Sequence, residues 1–154
     1  MWRPNVYIAS ALFSDAERST NEAMASILEK WCDVFLPQRD GYLLTTLIER
    51  GMGVNEAYSF VFKKDIAAIS QCDAIIINLD GRTIDEGAAF ELGYAFANSK
   101  LCVGYRTDVR VLLQWGLNPM ITVPLERILT SPSELEEWAR LIASQDGGRN
   151  VRAG

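Results

Sequence analysis

The segment Asp85-Glu86-Gly87-Ala88-Ala89-Phe90-Glu91-Leu92-Gly93-Tyr94-Ala95 places an acidic side chain where helices normally bury small residues. At about 100° per residue, Glu91 shares a helix face with Gly87, Ala88, Tyr94 and Ala95, three of them tiny. A solvated glutamate usually sits among other charges; this one faces a shallow slot that another molecule could enter. A carboxylate taken out of water needs a partner or a chemical task. Spacing alone leaves two readings open: a functional carboxylate, or a buried one satisfied by an arginine or a tyrosine hydroxyl. Asp65 is similar, with Val61 and Phe62 before it and Ala68 and Ile69 after it on the expected core side of a long helix. An internal salt bridge or a hydrogen-bonded aspartate would also explain it. Asp80 and Asp85 frame the loop after an apolar strand; Asp80-Gly81 also reads as a turn, and Asp85 as a helix cap.

The chain has no histidine. A Ser-His-Asp triad, a Cys-His pair and a His-ligated metal are therefore impossible within it. Nor is there a P-loop. Carboxylates at strand ends without histidine point to glycosyl chemistry. In retaining transfer one carboxylate attacks the anomeric carbon, and an acceptor then displaces the resulting sugar ester. A nearby negative charge stabilises the oxocarbenium-like transition state, and a second carboxyl protonates the leaving group.

These side chains require a scaffold that brings strand ends together. Asn5–Ala9 reads as a first strand, and Ser14-x-x-Glu17 as a capping box opening a helix from Asp15 to Trp31. Asp33–Leu36 is a short strand, Pro37–Gly41 a loop by its turn chemistry, and 42–50 a short helix interrupted at Gly51-Met52-Gly53. A long helix is expected from Asn55 to Gln71, a fully buried strand at Ala74–Leu79, a helix at Glu86–Asn98 and a strand at Leu101–Tyr105. Ser131-Pro132-Ser133-Glu134 starts a helix running to Ser144, and the tail from Gln145 is expected to fray. Strands alternating with helices imply right-handed crossovers and one α/β domain with a doubly wound, mostly parallel sheet of the flavodoxin-like or Rossmann-like kind. Ligands bind such sheets beyond the carboxyl ends of the strands, where Ser10–Ser14, Pro37–Gly41 and Asp80–Gly87 emerge.

The totals suit this reading. The 154 residues provide for one core, with 49% apolar and 23% charged residues. The net charge of −5 disfavours a nucleic-acid polymer as partner. Three widely spaced cysteines, Cys32, Cys72 and Cys102, form no disulfide or zinc pattern and read as small buried hydrophobes in a reducing, cytoplasmic setting. No apolar run reaches the ~18 residues a bilayer span needs, so neither a membrane anchor nor a signal peptide is expected.

Four stretches together resemble the nucleoside 2-deoxyribosyltransferase family. They are Tyr7-Ile8-Ala9-Ser10-Ala11-Leu12-Phe13; Leu36-Pro37-Gln38-Arg39-Asp40-Gly41; Asp65 eight residues before Asp73 and the apolar strand; and Asp85-x5-Glu91-Leu92-Gly93-Tyr94-Ala95. Asn118-Pro119-Met120 is a weaker fifth. The resemblance implies Glu91 as the nucleophile and Tyr7 as the hydroxyl that orients it. It implies that Asp65 and Asp85 handle base protonation and the sugar hydroxyls. Gln38 would recognise the base, Phe13 would line the base pocket, and Asn118 and Met120 would be inserted by a neighbouring subunit to bind the sugar. It further implies deoxynucleosides and free nucleobases as substrates, a homo-oligomer (dimer or hexamer), and no cofactor or metal. Two other functions use the same residues: a deoxynucleoside 5′-monophosphate N-glycosidase, with Arg39, Arg82 or Arg106 holding the phosphate, and a catalytically silent nucleotide-binding sensor.

Overall fold

The computed structural model describes residues 2–108, 110 and 117–145. Five strands form one parallel sheet: β1 (Asn5–Ala9), β2 (Asp33–Phe35), β3 (Ala74–Asn78), β4 (Leu101–Tyr105) and β5 (Arg127–Leu129), in the order β2-β1-β3-β4-β5. Helices cover both faces, giving the doubly wound α/β domain that the alternation of elements predicts. On one face lie α1 (Asp15–Leu28) and α7 (Pro132–Ser144), which pack on each other. On the other lie α4 (Val54–Gln71) and α5 (Glu86–Ala97), with α3 (Leu44–Glu49) against α4. α2 (Pro37–Asp40) and α6 (Pro119–Thr122) are single turns.

The core has two halves, one on each side of the sheet. Val6, Ile8, Ala74, Ile76 and Val103 point to the α1/α7 side, and Tyr7, Ala9, Ile75, Ile77 and Cys102 to the α4/α5 side. This is the period-two alternation of a sheet buried on both faces. α1 buries Asn21, Met24, Ala25 and Leu28, the i, i+3, i+4, i+7 stripe of an amphipathic helix. Its capping box is formed: Ser14 accepts from Glu17 N, and Glu17 accepts from Ser14 N. All three cysteines are buried and free.

Five features differ from the sequence reading or go beyond it. α1 ends at Leu28 rather than Trp31, because Cys32 N bonds back to Leu28 O and Asp33 N pairs with Pro4 O to begin β2. Pro37–Asp40 is a helical turn rather than a loop, with Pro37 supplying the preset φ of a first helical residue. Asn118-Pro119-Met120 opens α6, and Arg127–Leu129 forms a strand that the sequence pattern does not reveal. Phe62 is exposed and leans on Phe90 of α5 with ring centroids 6.0 Å apart. The tail beyond Gln145 lies outside the described residues. No helix among the described residues is long and apolar enough to cross a membrane.

Candidate active site

The strand order turns about β1 and β3, whose chains leave in opposite directions to β2 and β4. That divergence opens a crevice at the carboxyl ends of the strands. A cavity of about 510 Å³ occupies it, within the range of small-molecule sites. Its floor carries Asp65 from α4 and Asp85, Gly87 and Glu91 from the start of α5. Its walls are Ser10, Leu12 and Phe13 from the loop after β1, Arg18 from α1, Pro37 from α2, Tyr42 and Leu43 from the α2–α3 connection, Leu44 and Thr45 from α3 and Val61 from α4.

Glu91 is the centre of the floor. Its Oε1 accepts a hydrogen bond of 2.7 Å from the Tyr7 hydroxyl, and its Oε2 takes none from the described residues. Tyr7 is fully buried on the central strand β1, and its ring stacks on Phe35 of the neighbouring strand at 5.4 Å. Such packing fixes the hydroxyl rigidly. Burial pushes the Glu91 carboxyl up to about 8, against the stabilising hydroxyl of Tyr7 and reinforced by the charges of Asp65 and Asp85. Burial, then the carboxylates of Glu91 and Asp65, hold the Tyr7 hydroxyl protonated. Thus the hydroxyl donates and the carboxyl accepts. Asp65 is raised by burial to about 6. No arginine or lysine pairs with either group among the described residues, so the salt-bridge alternative fails for both, whereas the tyrosine-hydroxyl alternative for Glu91 is the one observed, on Oε1 alone.

Asp85 does two things. It caps α5, with Oδ2 accepting from Ala88 N at 2.9 Å, and it lines the cavity. Gly87 leaves room for this: a β-carbon there would stand 3.1 Å from Asp85 Oδ2. Asp80 stays outside the cavity. Its carboxylate receives Thr107 N at 2.7 Å, Thr107 Oγ1 at 2.6 Å and Asp108 N at 2.7 Å, tying the loop after β3 to the loop after β4.

The structure thus brings Asp65, Asp85, Glu91 and Phe13 to one cavity, and sets Tyr7, buried behind the lining, in hydrogen-bond contact with Glu91. Gln38 is elsewhere: its amide accepts from Asn21 Nδ2 and donates to Arg18 O and the Glu22 carboxylate, and it is not on the cavity wall. Asn118 caps α6 through Met120 N, and Met120 is 79% exposed; neither lines the cavity of its own chain. Arg39 is paired with Glu29 and Asp40, and Arg82 and Arg106 are not on the lining either. Sequence reasoning missed Arg18 and the Tyr42–Thr45 wall. The available signal was Tyr42-Leu43-Leu44, three adjacent apolar residues with no amphipathic period to bury them together.

A family model for nucleoside 2-deoxyribosyltransferase matches residues 6–146, a span that contains every floor residue described above. The chain belongs to the nucleoside 2-deoxyribosyltransferase family. Solved structures with the same fold include a conserved protein from Enterococcus faecalis V583 (23% identity, TM-score 0.75, 92% of this chain and 99% of that one). They also include a 2-deoxyribosyltransferase from Bacillus psychrosaccharolyticus (23% identity, TM-score 0.74, 90% and 95%). A CMP N-glycosidase, BcmB, from Clostridium botulinum is more distant (19% identity, TM-score 0.54, 90% and 98%). No curated protein matches the chain.

Proposed function

We propose that this chain moves a 2-deoxyribosyl group from one nucleobase to another through a covalent ester on Glu91, with net retention. The observation that carries the reading is the Glu91 carboxyl, held through Oε1 by Tyr7 at 2.7 Å beside Asp65 and Asp85, in a cavity whose walls include Leu12, Phe13, Tyr42 and Leu43. The unpartnered Oε2 is the oxygen free to attack C1′. As it bonds, the C1′–N bond breaks and its electron pair leaves with the base. Asp65, with its raised affinity for a proton, supplies one to the departing base nitrogen. The negative floor stabilises the oxocarbenium-like transition state. An acceptor base then attacks C1′ from the face the first base left, its proton returns to Asp65, and Glu91 is released. Two inversions give retention. Asp85, with one oxygen committed to Ala88 N, has its other oxygen for a sugar hydroxyl.

Leu12, Phe13, Tyr42 and Leu43 suit a flat heterocycle. Phe13 is 78% exposed at the cavity rim, as an open stacking surface would be. The reading includes a homo-oligomer in which Asn118 and Met120 of a neighbouring subunit close the sugar side; their exposure and their absence from the cavity of their own chain support it. A nucleotide N-glycosidase has weaker support. Arg18 is the one cation on the described lining, and its guanidinium is spent on Leu12 O, Phe13 O and the Asp15 carboxylate.

The test is incubation with deoxyinosine and free adenine or cytosine, followed by chromatography. New deoxynucleosides are expected, and a 2-fluoro-2-deoxyribosyl nucleoside should leave a sugar mass on the peptide containing Glu91. Free base and sugar alone would mark a hydrolase; a label on a different carboxylate would remove Glu91 from its role.

A further inference from the structure

Apart from the Tyr7 hydroxyl already described, Asn21 is the one hydrogen-bonding side chain of oxygen or nitrogen that is fully buried among the described residues, at 1% exposure. It belongs to the apolar stripe of α1, where the helix period alone calls for a hydrophobe. Its Nδ2 donates at 2.9 Å to two acceptors, Ala11 O in the loop after β1 and Gln38 Oε1 in α2. Gln38 in turn donates through Nε2 to Arg18 O at 3.0 Å and to Glu22 Oε1 at 3.1 Å. Asn21 Oδ1 has no partner in the structure, so the burial is costly, and a leucine there would avoid that cost.

The two segments joined by this amide pair carry separate parts of the cavity wall. Ala11 directly precedes Leu12 and Phe13, and Gln38 directly follows Pro37 and leads into Tyr42. α1 also grips the first wall elsewhere, since Arg18 donates to Leu12 O and Phe13 O, and Glu17 accepts from Phe13 N. Between the two walls, however, Asn21 to Gln38 is a direct side-chain tie. We infer that Asn21 and Gln38 are a positioning pair that sets the width of the nucleobase slot, and that Gln38 acts on the base through this tie rather than by touching it. The inference rests on the proposed reading of the cavity as a nucleoside site. It gives a reason for keeping a buried amide with an unsatisfied oxygen: polar networks of this kind fix one arrangement of packed elements where an apolar contact would allow several.

Asn21→Leu, Gln38→Leu and the double variant test it, with steady-state kinetics for a purine and a pyrimidine acceptor. Asn21→Leu should stay folded, because Leu suits the stripe and removes the orphan oxygen. Each single variant should raise KM for both bases by about tenfold while kcat changes less, since loosened walls cost binding before chemistry. The double variant should be no worse than either single one, as members of one tie are not additive. Loss of selectivity in Gln38→Leu with Asn21→Leu unaffected would mean that Gln38 touches the base, and would overturn the inference. So would unchanged KM in both. If Asn21→Leu fails to fold, Gln38→Leu decides through the same KM and selectivity readouts. Failure of the wild-type chain to make any new nucleoside would instead sink the underlying reading, independently of these variants.

Discussion

Replacing Tyr7 by Phe removes one hydroxyl and nothing else from the site. The ring remains stacked on Phe35 at 5.4 Å, and the change leaves no void larger than one oxygen atom. What is lost is the 2.7 Å bond to Glu91 Oε1. A hydrogen bond to a charged group contributes roughly 1.5–3 kcal/mol, which corresponds to about 1–2 pH units in the titration of the carboxyl. Because the hydroxyl stabilises the ionised form, its removal must raise the Glu91 titration above its present position near 8. At pH 7 roughly one Glu91 in ten is ionised in the wild type, and the variant should fall to about one in a hundred or fewer. A nucleophile must be ionised, so kcat/KM at pH 7 should drop about 10–100-fold. The ratio of wild type to variant is the decisive quantity, measured by chromatography of the product nucleoside from pH 6 to 10. It should shrink toward one as the pH passes the raised value, since both proteins are then ionised. Dependence on a second group such as Asp65 cancels in this ratio. A ratio that stays constant over the whole range would refute the argument, because the hydroxyl would then be orienting Glu91 without tuning its charge.

Other outcomes follow from the same geometry. Folding raises the Glu91 carboxyl from its ordinary 4.5 to about 8, so its ionisation opposes folding. Wild-type stability should therefore fall as pH rises through that window, and Glu91→Gln should gain on it by up to about 5 kcal/mol by pH 9 in urea melts; parallel profiles would refute this. Asp65→Asn should slow transfer from poor leaving bases more than from activated ones, and an equal loss on both would give Asp65 a structural or sugar-binding role. Mixed under exchange, inactive Glu91→Ala and inactive Asn118→Ala subunits should recover part of the activity. No recovery despite demonstrated exchange would mean that each site is built within one chain.

Local rules made much of this legible. The Ser14/Glu17 box, the Asp85 cap and the Ser131-Pro132 start each act over three or four residues, so the sequence marks those helix beginnings directly. The unbroken apolar run at Ala74 had to be a strand covered on both faces. Small residues at i−4, i−3 and i+4 around Glu91 announced a slot before any neighbour was known. Tertiary structure decided the rest. β5 exists because Arg127, Ile128 and Leu129 pair with Val103, Gly104 and Tyr105, and three residues carry too little pattern to predict that. Gly104 allows the approach: a β-carbon there would meet Leu79 at 2.7 Å and Leu125 at 3.0 Å. Asp80 looked like a turn, yet it organises a loop 27 residues away in the chain. Gln38 fitted a base-reading motif, but its amide is committed to α1, and only packing determines which donor finds which acceptor. Desolvation of Glu91 likewise depends on how β1, α4 and α5 close around it. Hydrogen bonding and burial between distant segments are properties of the assembled fold, whereas caps and periodicity are properties of neighbouring residues.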